Sequence, residues 1–229
     1  MSIRRKTFTA VCATLGALFL PSVALPLIAA EKSPSKRYEK DIQAFEAADK
    51  ETPPPEGAVL FTGASAIRLW KTLAQDFPEH KVINRGFGGS QMADSVYFAD
   101  RIVIPYKPKM IVIQAGGNDI NSGKPPEQVL ADFKAFVEKV HSKLPETRIA
   151  FLCINPNPAR WGQVENQKRA NQLVKDYIAT VKYLDYIDIF DAMLGPDGQP
   201  REDLFVADRL HPNDNGYQVR AAIIRKHLP

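Results

Sequence analysis

The chain is poor in cysteine, with only Cys12 and Cys153 in 229 residues. That excludes a small disulfide-stapled scaffold and a thiolate metal cluster. It also has no apolar run of the roughly 20 residues that a membrane helix needs. The nearest approach, Phe8–Leu20, spans thirteen residues. Net charge is scarce as well. Thirty Lys and Arg stand against 26 Asp and Glu, giving +4. Three of those positive charges, Arg4, Arg5 and Lys6, sit in residues 1–30, which hold no acid, so the remainder is nearly balanced at 27 against 26. Such a surface gives no reason to expect a nucleic-acid partner. Three signatures are missing too: Gly-x-Ser-x-Gly, Gly-x-Gly-x-x-Gly and a Gly-Lys-[Ser/Thr] ending. Their absence counts against an α/β-hydrolase elbow, a dinucleotide fold and a P-loop. With 45% hydrophobic and 24% charged residues, the composition excludes disorder and fits a globular core.

The N-terminal thirty residues have the layout of an export signal: a basic start, a short apolar region and small residues near a cut site. Ile28-Ala29-Ala30 precedes the polar Glu31-Lys32, so cleavage is expected after Ala30. An uncleaved anchor is the alternative. The expected location is outside the cytoplasm, periplasmic or secreted, with no stable membrane span after processing. Residues 31–56 read as an N-terminal helical arm, helical around Tyr38–Lys50, ended by Pro53-Pro54-Pro55 and lying on the domain with Phe45 as a packing anchor.

From residue 57 onward, apolar runs alternate with amphipathic stretches. Strands are expected at Ala58–Thr62, Lys81–Asn84, Met110–Ala115, Arg148–Ile154 and Leu184–Ile189. Helices are expected at Ile67–Phe77, Gln91–Ile104, Pro126–Leu144, Val164–Ala179 and Asp214–Leu228. Continuously apolar strands separated by helices predict a parallel sheet covered on both faces, with its ligand site beyond the carboxyl ends of the strands.

The loops after those strands hold the chemistry. Thr62-Gly63-Ala64-Ser65 puts a hydroxyl at a strand-to-helix turn, as a nucleophile or as a helix cap. Asn84-Arg85-Gly86-Phe87-Gly88-Gly89-Ser90 lets backbone approach a ligand, or is simply a flexible turn. Gly116-Gly117-Asn118-Asp119 can donate side-chain N–H bonds above the sheet, or serve only as turn chemistry. Asp208-Arg209-Leu210-His211 spaces a carboxylate and an imidazole so that they meet across one turn; a surface Asp beside a capping His is the plainer account. All four fall on one edge of a parallel sheet.

At these residues the chain resembles the SGNH hydrolases of the GDSL esterase/lipase superfamily, over roughly residues 57–229. Asp208-x-x-His211 is the most specific block, supported by Gly117-Asn118-Asp119 and Gly86-Phe87-Gly88-Gly89; Gly63-Ala64-Ser65 stands where the family usually has Gly-Asp-Ser. The resemblance implies an α/β, three-layer α/β/α sandwich of flavodoxin-like type with a five-stranded parallel sheet. It also implies a serine hydrolase needing neither metal nor organic cofactor. Ser65 would be the nucleophile, His211 the base and Asp208 its orienting partner. The backbone N–H groups of Ser65 and Gly89 and the Asn118 amide would form the oxyanion hole. No connection is long enough for a large lid, so short acyl esters are expected, chiefly acetyl, with carbohydrate as a candidate carrier. Phe87, Ser90 and Trp161 are candidate substrate-lining residues. Tyr97 could also floor a sugar site, whereas Trp70 reads as core and Arg160 as a solvated side chain. An acyltransferase, or a catalytically weak saccharide-binding protein on the same fold, is the alternative.

Overall fold

The structure is a computed structural model and describes residues 36–229. The expected export signal and the first residues of the arm lie outside the described residues.

Five strands form one all-parallel sheet in the order β2-β1-β3-β4-β5: β1 Val59–Gly63, β2 Val82–Gly86, β3 Met110–Gln114, β4 Arg148–Leu152 and β5 Leu184–Ile187. This is the flavodoxin-type doubly wound order. The central strands β1 and β3 are buried at every position, as expected where both sheet faces are covered. One helical layer consists of α4 (Met92–Ile102), α6 (Pro126–His141) and α7 (Val164–Ile178), packed side by side. The other face carries α2 (Ser65–Arg68), α3 (Leu73–Asp76) and α8 (Asp214–Ile224). There Tyr217 of α8 stacks on Trp70 at 4.9 Å and donates to the Ala66 carbonyl.

Register determines where the loops emerge. Gly63 pairs with Gly86 on one side and with Gln114 on the other. The first three strands therefore stop level with one another, and Ser65, the Phe87–Ser90 turn and Gly117-Asn118 leave the sheet at one rim. Gly63 has φ +121°, and a Cβ there would lie 2.0 Å from the Gln114 carbonyl oxygen, so only glycine lets β1 and β3 close up at this point.

Two local expectations fail. The single helix expected over Ile67–Phe77 is two separate turns, α2 and α3. Between them Trp70 turns into the core, and its indole N–H donates to Asp76 Oδ2 at 2.6 Å, which also accepts from Thr72 Oγ1. The loop after β3, where no helix is expected, also forms a short one, α5 (Gly117–Asn121). The arm does lie on the domain as α1 (Glu39–Glu51). Arg101 pairs with Glu39 and Glu46, and Asp49 accepts from Tyr106 and pairs with Arg85. Phe45 packs partly buried under Arg85.

Candidate active site

Ser65 is the first residue of α2, directly after Ala64, which bonds through its N–H to the Gln114 carbonyl. Ala64 offers no side-chain cap, so the first N–H groups of that turn are not consumed by one. Ser65 Oγ lies 2.7 Å from His211 Nε2, across 146 positions of sequence. The other ring nitrogen, Nδ1, lies 2.6 Å from Asp208 Oδ2. With Nδ1 protonated toward the carboxylate, Nε2 has a free lone pair facing the hydroxyl, which is the geometry of a base.

The Asp208–His211 turn is built by its own aspartate. Oδ1 of Asp208 accepts the backbone N–H groups of Leu210 and His211, each at 2.9 Å. Arg209 takes up the left-handed conformation, φ 59°, and its side chain is held by Glu202. Partial desolvation opposes the Asp208 charge, but the His211 N–H, the imidazole and the Leu210 N–H outweigh it and bring its pKa down to about 2. The carboxylate beside the imidazole is therefore ionised at all ordinary pH values.

Gly89 has φ +80°. Neither its N–H nor that of Ser65 finds an acceptor among the described residues. Asn118 donates one Nδ2 hydrogen to the Ser90 carbonyl at 2.9 Å, while its Oδ1 accepts from Arg160 Nη1 at 3.0 Å. Arginine can only donate, so this contact fixes which end of the amide is nitrogen and leaves the second Nδ2 hydrogen available. The arrangement can supply a hydroxyl, a base and three N–H donors to one reacting carbonyl.

Ser65 borders two cavities. A small one, about 70 Å³, reaches down among Ala66, Gln114, Ile154, Asn155 and Gln167. A wider groove, about 380 Å³, opens over Gly88 and Gly89. Beneath the small cavity, Gln114 Nε2 donates to the Cys153 carbonyl at 2.9 Å, and its Oε1 accepts from the buried Arg220. Asn171 brackets the Ile154 backbone with two 2.8 Å bonds. These buried amides hold the ends of β3 and β4 rigid under the site.

The sequence expectations for lining residues fare differently. Phe87 is fully buried, edge-on to Tyr38 and Phe98, and borders neither cavity at Ser65. Glycines on both sides of it, Gly86 and Gly88, leave the ring free to turn into the core. Ser90 is also buried; its Oγ donates to the Phe87 carbonyl at 2.8 Å and it touches the site only through its own carbonyl. Trp161 is half-buried in the 3-10 turn Pro158–Gln163 and borders neither cavity at Ser65. Tyr97 is exposed and likewise absent from both linings, and Trp70 is in the core. Arg160 is not a solvated side chain but a half-buried one, bonded to the Gly117 carbonyl and to Asn118. Burial without a carboxylate partner lowers its pKa. Sequence reasoning missed Tyr38 altogether, since an aromatic on an N-terminal arm carries no motif. It also gave Asp119 no role of its own beyond its place in the Gly117-Asn118-Asp119 block. That carboxylate is buried and ties the Met92 N–H to Lys124, bracing α4 against α5.

The doubly wound α/β sheet carries a hydrogen-bonded Ser–His–Asp row at its strand ends, where such sheets place their sites and in the order that serine hydrolases use. Residues 56–219 match the GDSL-like Lipase/Acylhydrolase family, and the chain belongs to that family. Among curated relatives, it is similar to the platelet-activating factor acetylhydrolase IB subunit alpha1 of Bos taurus. They are 28% identical over 183 residues, covering 74% of this chain and 73% of that one. Among solved structures it is similar to a GDSL-like lipase from Bacteroides thetaiotaomicron (TM-score 0.69, 18% identity, 82% of this chain and 96% of the other). It is also similar to a variant of an acetyl-xylooligosaccharide esterase from Geobacillus Stearmophilus (TM-score 0.59, 15% identity, 75% and 94%). The five-stranded parallel sheet with flanking helices is the fold of these neighbours. Among the described residues, no helix is long and apolar enough to cross a membrane.

Proposed function

We propose that the protein is a serine esterase that hydrolyses short-chain acyl esters, chiefly acetyl esters, with Ser65, His211 and Asp208 as its triad. The observation that carries this reading is the continuous row Ser65 Oγ–His211 Nε2–His211 Nδ1–Asp208 Oδ2, with spacings of 2.7 and 2.6 Å. A serine hydroxyl is a weak nucleophile until a neighbouring base removes its proton. Here His211 takes that proton as Oγ attacks the ester carbonyl, and Asp208 stabilises the imidazolium that forms. The carbonyl oxygen becomes an oxyanion facing the N–H groups of Ser65 and Gly89 and the free hydrogen of Asn118 Nδ2. His211 then gives its proton to the departing alcohol, leaving an acyl-serine, and water reverses the sequence to release the acid.

Acyl length follows from size. A water needs about 10–15 Å³ of cavity measured this way, so the 70 Å³ space beside Ser65 takes an acetyl or slightly larger group and not a long chain. The acetyl esters named for two of the similar proteins support the same choice. The wider groove would hold the alcohol, for which a carbohydrate remains a candidate, and the basic, apolar layout of residues 1–30 supports export to the periplasm or medium. The test is labelling with a fluorophosphonate followed by peptide mapping, then p-nitrophenyl esters from acetyl to octanoyl. Label on Ser65 and a fall in kcat/KM beyond the shortest chains are expected. An unlabelled Ser65 with no turnover would refute the enzyme reading, and label with acyl transfer to an added sugar in place of water would make it a transferase.

A further inference from the structure

We propose that the groove over Gly88 and Gly89 is an anion subsite, in which Arg37, Arg68 and Arg160 receive a phosphate or carboxylate carried on the alcohol part of the ester. The proposal rests on the esterase reading and names the substrate class it leaves open. Three guanidiniums line this groove together with Ser65 and His211, against one carboxylate, Asp41. Most arginines elsewhere on the surface have an acid partner: Arg101 with Glu39 and Glu46, Arg201 with Asp203, Arg209 with Glu202. Arg37 and Arg68 have none among the described residues, and neither donates a side-chain hydrogen bond there.

Their placement is built, not incidental to a mobile surface. Arg68 follows Ser65 by one turn of α2, so both side chains share a side of that turn. Its Nε would lie 2.7 Å from a Cβ on Gly88, and Arg37 Nη2 would lie 2.9 Å from one on Gly89. The two glycines thus admit two cations against the loop that carries a proposed oxyanion donor. Arg37 is next to Tyr38, whose hydroxyl is anchored on the Gly89 carbonyl at 2.7 Å. Arg160 closes the third side, with Nη1 spent on Gly117 and Asn118 and its other nitrogens free of protein acceptors among the described residues. Planar guanidiniums recognise phosphate and carboxylate oxygens in pairs. The anion belongs to the alcohol because the cavity that reaches down from Ser65 is too small for an acyl group with a charged arm, which leaves the groove for the departing alcohol.

The test uses the Ser65→Ala protein, so that binding is read without turnover, with 2-acetoxyethyl phosphate, 3-acetoxypropanoate and neutral 2-methoxyethyl acetate followed by ligand-observed NMR. Both anionic esters should bind about tenfold or more tightly than the neutral one, as charge-assisted hydrogen bonds would give. The margin should shrink as salt is raised, because Arg37 and Arg68 are exposed. Adding Arg37→Gln and Arg68→Gln together should erase it. Equal binding of all three esters, or a margin that survives the double replacement, overturns the subsite. Turnover of the neutral ester by the unaltered enzyme is a separate readout, so loss of the esterase reading and loss of the subsite register in different experiments.

Discussion

The hydroxyl of Tyr38 donates a 2.7 Å hydrogen bond to the carbonyl oxygen of Gly89, joining the start of the N-terminal arm to the loop that lines one groove with Ser65. The ring is packed edge-on against Phe87 at 5.2 Å, and burial raises the pKa of its phenol, so it remains a donor. The Gly89 carbonyl shares its planar peptide unit with the Ser90 N–H, which donates to the Phe87 carbonyl at 3.4 Å, so the unit that directly follows the Gly89 Cα is pinned at both ends. Tyr38 is thus a positioning residue for the loop. Tyr38→Phe keeps the ring contact and removes only the hydrogen bond. A net loss of about 1 kcal/mol in positioning corresponds to a fall in kcat of roughly fivefold, with KM less affected. Steady-state kinetics on p-nitrophenyl acetate decide it, and an unchanged kcat would mean that the arm is only a structural cover.

The Asn118 amide is oriented by Arg160, and the two should be energetically coupled. Asn118→Ala removes a proposed oxyanion donor and should lower kcat by about 10²–10³. Arg160→Met leaves the amide free to rotate, so a smaller loss of about tenfold is expected, with Arg160→Lys intermediate because a lysine donates without the planar fork. If Arg160 acts through Asn118, the double replacement is hardly worse than Asn118→Ala alone. Strictly additive losses in that cycle would show that Arg160 acts independently.

The parallel sheet and the convergence of four loops were legible because each strand is continuously apolar and each glycine-rich or acidic segment follows one. What the sequence could not show was which way the side chains at those turns face. Phe87 and Ser90 sit inside a segment that does reach the site, yet both turn inward, because the turn presents its backbone and leaves the side chains to the core. Trp161 is set aside for a similar reason, on a 3-10 turn from which the preceding residue, Arg160, reaches the site. The break between α2 and α3 depends on Trp70 finding Asp76, a tertiary contact that overrides the helical pattern of 67–77. Tyr38 and Arg37 act only through the docking of α1, which depends on Arg101 and Arg85, residues far away in sequence.

Asp208 has a pKa lowered to about 2, below the ordinary value of 3.8. A depressed carboxylate pKa stabilises the folded state above the unfolded-state value and loses that contribution as pH falls through the folded-state value. The window is therefore about pH 4 down to about pH 2. Asp208→Asn should flatten the acid limb of the stability profile there, measured by urea unfolding at stepped pH. The same replacement lowers activity less than His211→Ala, because an imidazole survives in a poorer orientation. An acid limb identical in the two proteins would mean that other carboxylates govern acid unfolding.

Cys153 offers a control that separates serine from thiol chemistry. The side chain is completely buried at the end of β4, and burial pushes its thiol up to about 12. Its sulfur accepts the Ile189 N–H at 3.3 Å and faces Asp188 at 3.8 Å, a carboxylate that further disfavours a thiolate. A raised pKa adds stability below the ordinary thiol value and loses it as pH climbs toward 12, so at pH 8 the native thiol is both neutral and out of reach. Iodoacetamide should leave Cys153 unmodified and activity intact in the native protein, and modify it fully in urea, as read by peptide mapping. The fluorophosphonate should abolish activity under the native condition. Inactivation by iodoacetamide in step with carboxamidomethylation of Cys153 would instead place a mobile, reactive thiol at the centre of the chemistry, against both its burial and the Ser65–His211 contact.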